Sequence, residues 1–338
     1  MLKRDGSVWA AGDKTFGQVG VNARSHIITT NFVEVLPGGV KAVAAGGEHS
    51  LVLKKDNSVW SAGMNVFGQL GDGSNIDSHS FVKVIPKDAK AVAAGARHSL
   101  MVMQNGSVWA TGYNLYGQLG DGSTIHRNRF VQVISDGAES VAAGSEHSMA
   151  LKQDGSVWTT GIVKLGDRSS DLKSSFVEVI SEGAVAIAAG SYHSMVLKQD
   201  GGVWVTGENK YGQLGDGTRT SWNIFVQVIE RHVEAIAAGF DHSMVLTYDG
   251  GVWATGRNNF GQLGDASIIP TTTFMEVISN GAQAIAAGDW HSMALMNDGS
   301  VWSTGRNMFG QLGDGSTVRK KTFVRVMPAQ EGAYHTLP

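Results

Sequence analysis

Ala186-Ile-Ala-Ala-Gly190, His193-Ser-Met-Val-Leu197, Gly202-Val-Trp-Val-Thr206 and, after a long interval, Phe225-Val-Gln-Val-Ile229 are four five-residue runs in succession. Most are rich in Val, Ile and aromatic residues, and Gly, Asp, Asn or Ser bounds them, as expected of short β-strands separated by turns. The pattern recurs along the chain. Trp9, Trp60, Trp109, Trp158, Trp204, Trp253 and Trp302 stand 51, 49, 49, 46, 49 and 49 residues apart, each after a valine. Phe32, Phe81, Phe130, Phe176, Phe225, Phe274 and Phe323 open the last run of each unit, and the first six lie 28 residues before the next tryptophan. All length variation therefore falls between tryptophan and phenylalanine, where intervals run from 18 to 23 residues. Constant spacing marks packed framework and variable spacing a surface loop. Four strands per unit, seven units and no helical period predict an all-β fold, a seven-bladed β-propeller of four-stranded antiparallel blades. A solenoid would need distinct capping units, and none is visible.

Composition agrees. The 338 residues include 45 glycines, about twice the usual share, but only five prolines and no period of three, so collagen is excluded. Hydrophobic residues at 42% supply a core. The absence of cysteine rules out disulfides, thiolate metal sites and a cysteine nucleophile. A net charge of −3 gives no global attraction to nucleic acid or anionic membrane. No signal-peptide core or membrane-length apolar run is present, which favours a soluble protein of cytoplasm or nucleus.

We expect one domain over residues 1–338, with seven repeats of about 49 residues and one blade closed jointly by residues 1–36 and about 328–338. Two registers compete for the C-terminal segment. Gly332-Ala-Tyr-His-Thr-Leu337 matches Gly95-Ala-Arg-His-Ser-Leu100 if five residues are missing, whereas Glu331-Gly332-Ala333 matches Glu182-Gly183-Ala184 and makes Tyr334 to Leu337 an inner strand. The first is slightly favoured. Asp-Gly, Asn-Gly and Gly-Gly pairs before the tryptophan run predict tight hairpins, and the small Ala-Ala-Gly run predicts the strand nearest the axis.

The motifs Ala-Ala-Gly-x-x-His-Ser-x-x-Leu, Asp-Gly-Ser-Val-Trp and Gly-x-Asn-x-x-Gly-Gln-Leu-Gly-Asp-Gly resemble the repeats of the regulator of chromosome condensation family over essentially the whole chain. The resemblance implies the propeller and leaves function open, because the family includes the nuclear exchange factor for the GTPase Ran, a plant ultraviolet-B photoreceptor and secreted β-lactamase inhibitors. Two units depart from the pattern: Gly12-Asp-Lys-Thr-Phe-Gly-Gln-Val-Gly-Val21 loses the Asn and the Asp, and Gly161-Ile-Val-Lys-Leu-Gly-Asp167 loses three residues.

Repeated residues read as framework. His49, His98, His147, His193, His242 and His291 occur once per blade, too dispersed to converge on one metal, and are expected to bond backbone where the second strand begins. Asp72, Asp121, Asp167, Asp216, Asp265 and Asp314 are expected to make local turn bonds. The ruler tryptophans should pack between blades. No nucleophile, acid–base pair or cofactor fingerprint breaks the repeat, so the reading is not an enzyme, with no cofactor and no metal.

Function should lie where repeats differ. The first-to-second turn and the third-to-fourth loop emerge at one end of each blade. The turn carries Glu48, Arg97 and Glu146 in three consecutive units, then Tyr192, Phe240-Asp241 and Asp289-Trp290 in the next three, with Ala333-Tyr334 as a possible seventh. The two tryptophans outside the ruler are Trp222 and Trp290. Tyr192, Trp222, Phe240 and Trp290 could form one aromatic arc; alternatively each tucks into its own loop. The resemblance places partner contacts of the β-lactamase inhibitors at these turn positions. It places tryptophans of the photoreceptor dimer there too, and a lone Trp290 counts against light sensing. The loops bring nine cations (Arg24, Arg127, Arg129, Arg168, Lys173, Arg219, Arg319, Lys320 and Lys321) against eight acids, so neither an anionic partner nor nucleic acid is demanded.

The sequence therefore predicts a monomeric, non-enzymatic protein-binding propeller. Its contact residues would be Tyr192, Trp222, Phe240, Asp241, Asp289, Trp290, Glu48, Arg97 and Glu146. Chromatin or nucleic acid is a weaker expectation, and no membrane contact is expected. The alternatives are guanine-nucleotide exchange on a Ran-like GTPase, against which no unit carries a large insertion, and enzyme inhibition of the β-lactamase-inhibitor kind.

Overall fold

The computed structural model describes residues 1–21, 28–162 and 164–329, and the backbone of 334–336; Arg24 and Ala333 lie outside the described residues. Among the described residues there is no helix, and the strands form seven four-stranded antiparallel sheets, the blades of a β-propeller. Six blades take their strands in chain order from the axis outward, spanning residues 40–85, 89–134, 138–180, 184–229, 233–278 and 282–327; we call them blades 1 to 6. The seventh, closing blade pairs strand Tyr334–Thr336 with Leu2–Lys3, followed by Val8–Asp13 and Ile28–Leu36.

Tyr334 opposes Lys3 and Thr336 opposes Leu2, so the C-terminal segment is the inner strand. This corrects the favoured register: Tyr334 and His335 do not form a turn like Arg97-His98. The physical reason is that an inner strand must complete the innermost ladder, and the five-residue deletion would have left it unfilled.

Burial explains the composition of the strands. The second strand of a blade, such as His98–Met103, is buried on both faces because neighbouring blades cover it, hence its unbroken apolar run. Cores form between blades: Leu51, Leu53 and Val59 of blade 1 join Ala89, Met101 and Phe130 of blade 2, with Trp109 packed against them. The ruler tryptophans therefore pack between blades as expected, and five donate their indole N–H to the serine two residues earlier, at 2.9–3.1 Å.

Two glycine positions show what the repeat requires. At the hairpin before Trp109, Gly106 N–H donates to Met103 C=O and Met103 N–H to Ser107 C=O, with Gly106 at φ 79°. That is a three-residue connection ending in a left-handed residue, which glycine adopts without strain. At Gly71, a Cβ would meet the Phe130 ring of the next blade at 2.5 Å, so the loop glycine is a seat for the neighbouring ruler phenylalanine.

The histidines differ from expectation in their partner. His98 Nε2 lies 2.8 Å from Ser148 Oγ of the next blade, and His49, His147, His193 and His242 repeat the contact at 2.8–2.9 Å. Ser148 Oγ donates its own proton to Gln118 C=O at 2.7 Å, so His98 must be the donor to it. The bond is thus a side-chain stitch across the blade seam rather than a backbone cap.

Candidate functional site

The pre-histidine turns and long loops do share one end, where they surround a funnel of ≈ 520 Å³ on the propeller axis. Backbone bonds tie each turn to the next: Ala96 N–H to Gly144 C=O at 3.1 Å, Ser145 to Ser191 at 3.2 Å, Ser191 to Phe240 at 3.3 Å and Phe240 to Asp289 at 3.2 Å. The differing side chains consequently stand on a ring of turns bonded one to the next, the kind of support a binding site uses.

On blades 4 to 6 the ring becomes aromatic. Phe240 stacks on Trp290 with centroids 4.6 Å apart and planes 23° from parallel, and Tyr192 meets Phe240 edge-on at 6.0 Å. The long loops add residues that the sequence reading passed over. Phe260 meets Trp290 edge-on at 5.7 Å. The Arg257 guanidinium lies 4.4 Å from the Trp290 ring and 4.6 Å from the Tyr211 ring. Asp241, only 4% exposed, fixes Arg257 by a 3.1 Å ion pair. Asp241 thereby holds the arginine in place instead of presenting itself.

Tyr211, Phe260 and Phe309 belong to the aromatic-Gly-Gln step of the repeat, and read as framework for that reason. The available signal was the variable residue immediately before the loop Asn: Tyr113, Glu208, Arg257 and Arg306 differ there while their neighbours repeat.

Charge on this face is held under partial desolvation. Burial raises the Asp241 carboxyl above its ordinary value, opposed by Arg257 and reinforced by Glu208. Burial also raises Glu146, with Glu208 adding and Arg97 opposing. Asp289, exposed on the funnel wall, is also raised by desolvation, with Arg306 opposing and Glu48 and Asp241 adding. The Tyr192 hydroxyl is raised by burial and then by Glu146, Glu208 and Asp241.

Trp222 stands apart from the arc. Its indole N–H donates to Asp216 Oδ2 at 2.8 Å, and its ring packs on the core cluster between blades 4 and 5 that holds Leu197, Val205 and Val245. The reason lies in the repeat: six residues after the loop aspartate, Arg127, Lys173 and Lys320 ion-pair with Asp121, Asp167 and Asp314 at 2.7, 3.3 and 3.0 Å. Trp222 fills the same position and serves the same aspartate. Those three cations are likewise committed within their loops and are withdrawn from any anion-binding tally. The loop aspartates make the expected turn bonds, Asp121 Oδ1 accepting from Ser123 N–H at 3.0 Å, and also accept from the loop Asn, as from Asn114 Nδ2 at 3.0 Å.

Blades 1 and 2 carry a second aromatic group. Tyr113 stacks on His126 at 4.8 Å, Phe67 meets both edge-on at 4.8 and 5.4 Å, and exposed Arg97 lies 5.5 Å from the Phe67 ring. Glu48 and Glu146 flank it, half-buried.

The comparisons with known proteins agree with this architecture. The family model of the RCC1-like domain matches residues 40–337. The structure is similar to human WBSCR16, with a TM-score of 0.84 and 22% identity over 96% of this chain and 94% of that one. Yeast RCC1 (Prp20), in its complex with Kap60, gives a TM-score of 0.84 at 21% identity over 97% and 85%. At these identities the likeness is one of fold. Among curated proteins, an X-linked retinitis pigmentosa GTPase regulator homolog of Caenorhabditis elegans is 33% identical over 79 residues, which is 23% of this chain and 6% of that protein. No helix among the described residues is long and apolar enough to cross a membrane.

Proposed function

Because the chain belongs to the RCC1-like domain family, we propose that it is a non-enzymatic recognition module that binds a protein partner through the loop face of the propeller. The observation that carries this reading is the Tyr192–Phe240–Trp290 arc with Arg257 held between Tyr211 and Trp290. Aromatic rings and a pre-oriented guanidinium are the composition of a binding hot spot. Asp289, Glu48, Arg97 and Glu146 set orientation around it, and Asp241 positions Arg257. The test compares partner affinity of the intact protein with that of Trp290→Ala and Tyr192→Ala. Each should keep its thermal midpoint within a few degrees and lose binding about thirtyfold or more; unchanged affinity would sink the reading.

A second reading, guanine-nucleotide exchange, draws on relatives. One is named a GTPase regulator homolog, and the yeast Prp20p structure is described with its binding to Gsp1p and histones. A nucleotide-release assay with a Ran-type GTPase separates the two: acceleration of release selects exchange, and no acceleration leaves recognition alone. Enzyme inhibition is checked by β-lactamase hydrolysis in the presence of the protein.

A further inference from the structure

A second cleft, of ≈ 600 Å³, lies at the opposite end of blade 5, between the hairpin Thr247-Tyr248-Asp249 and the seam with blade 4. Trp253, Phe274, Val245, Val233, Ile229 and His232 line it together with that hairpin. The other blades show how it arises. The last residue of the second strand is Lys3, Lys54, Lys152 and Lys198 in four blades, in the register that Thr247 occupies here, opposite the first residue of the inner strand. Each of those lysines lays its ammonium over the ruler tryptophan of its blade, at 4.0, 3.8, 4.5 and 5.2 Å from the ring centroid. In two further blades Met103 and Met296 take the position and pack on the same clusters as Trp109 and Trp302. Only in blade 5 is the residue a threonine, which is too short to reach the ring.

The threonine is also turned away. Thr247 Oγ1 donates to Asp249 Oδ1 at 2.6 Å. Gly251 replaces the serine that in five blades accepts the indole proton, and a Cβ there would meet Thr247 Oγ1 at 2.8 Å. Thr247 and Gly251 thus fit each other, and Trp253, half-buried like the other ruler tryptophans, lines the cleft with no lysine of its own blade laid over it among the described residues. The groups around it are of the sign a cation wants. Asp249 lines the cleft, its carboxyl lowered by the bonds from Thr247 and Gly251. Glu276 stands directly opposite Trp253 in the ladder, where its blade 1 counterpart is Lys83. Tyr248, 65% exposed, adds a second aromatic edge, and neither lysine nor arginine lines the cleft among the described residues.

We propose that this cleft is a binding site for an alkylammonium group, the side chain of a lysine or methyl-lysine on a partner peptide, which takes over the place that the chain's own lysine fills in four other blades. The cation would lie over Trp253, with its charge toward Asp249 and Glu276 and its methylenes on Val245 and Phe274. Ring quadrupoles attract ammonium groups in this arrangement.

The test titrates the full chain by calorimetry and by NMR of the Trp253 indole. The ligands are N-acetyl-lysine methylamide, its Nζ-trimethyl form, choline, and 3,3-dimethylbutanol as the neutral shape analogue of choline. The ammonium ligands should bind about tenfold or more tightly than the neutral analogue. Thr247→Lys should abolish binding, because it recreates the Lys198–Gly202–Trp204 combination that blade 4 already accommodates. Thr247→Met supplies a second, uncharged plug of the kind that blades 2 and 6 carry. Tighter binding of the lysine derivatives than of choline supports a peptide ligand, and preference for choline overturns that assignment in favour of a free quaternary amine. Equal binding of the neutral analogue, or ammonium binding unchanged in both plugged variants, overturns the site itself.

Discussion

The two halves of the loop face make the same kind of contact from opposite components. On blades 1 and 2 the turn supplies the cation and the loop the ring, as Arg97 lies over Phe67. On blades 5 and 6 the turn supplies the ring and the loop the cation, as Arg257 lies over Trp290. Their settings differ more than their chemistry. Arg97 is exposed and lacks an ion pair to fix it among the described residues, whereas Arg257 is half-buried, clasped by Asp241 and flanked by two rings. Position in the repeat therefore does not assign a role; the degree to which a neighbour immobilises and desolvates a group does.

The framework beneath both halves should respond alike, and with the largest effect. The six repeat histidines are held by burial at about 3 to 4, below the ordinary 6.5. As pH falls below 6.5 the unfolded chain takes up protons that the folded chain refuses. Stability is therefore complete above that value and is lost toward pH 4, by about 1.4 kcal/mol per pH unit for each histidine. Urea unfolding between pH 7.5 and 4.5 should show the loss. His98→Ala in one half and His242→Ala in the other should each cost about 2–4 kcal/mol. A large difference between them would show that the halves are not carried by one common framework.

Partner affinity should separate the halves next. Against the loss expected for Trp290→Ala, Phe67→Ala should weaken binding by less than about 1 kcal/mol, as surface plasmon resonance would register. The reverse ranking would move the anchor to blades 1 and 2. Trp222→Phe removes one hydrogen bond to a half-buried carboxylate and should lower stability by about 1 kcal/mol in denaturant titration, leaving affinity unchanged. A loss of affinity without a loss of stability would return Trp222 to the contact surface. Smallest of all, Arg97→Ala should change stability by less than about 0.5 kcal/mol and chiefly slow association at low salt.

Much of this was legible in the chain itself. The Val-Trp steps and the Phe-Val-x-Val runs marked the strands, the blade number and the location of every insertion, because a repeated packing problem has a repeated solution. The turn residues Tyr192, Phe240 and Trp290 stood out by departing from that solution. Arg257 and Phe260 did not, since each sits inside a motif whose other members are framework. Trp222 was conspicuous for its type, yet its spacing from Asp216 matched that of Arg127 from Asp121, a correspondence visible only once the carboxylate is seen to need a donor.

Periodicity and hydrophobic patterning, which are properties of the chain, set the seven blades, the buried second strands and the face on which variation accumulates. Which histidine meets which serine, that Tyr334 to Thr336 form an inner strand, that Asp241 serves Arg257, and that Thr247 bonds Asp249 beside the Trp253 cleft emerge only in the folded ring. Each of these depends on side chains or strands from different turns and blades converging within hydrogen-bond or ring-contact range. Such convergence is set by how the repeats close into a ring, and no single repeat contains it.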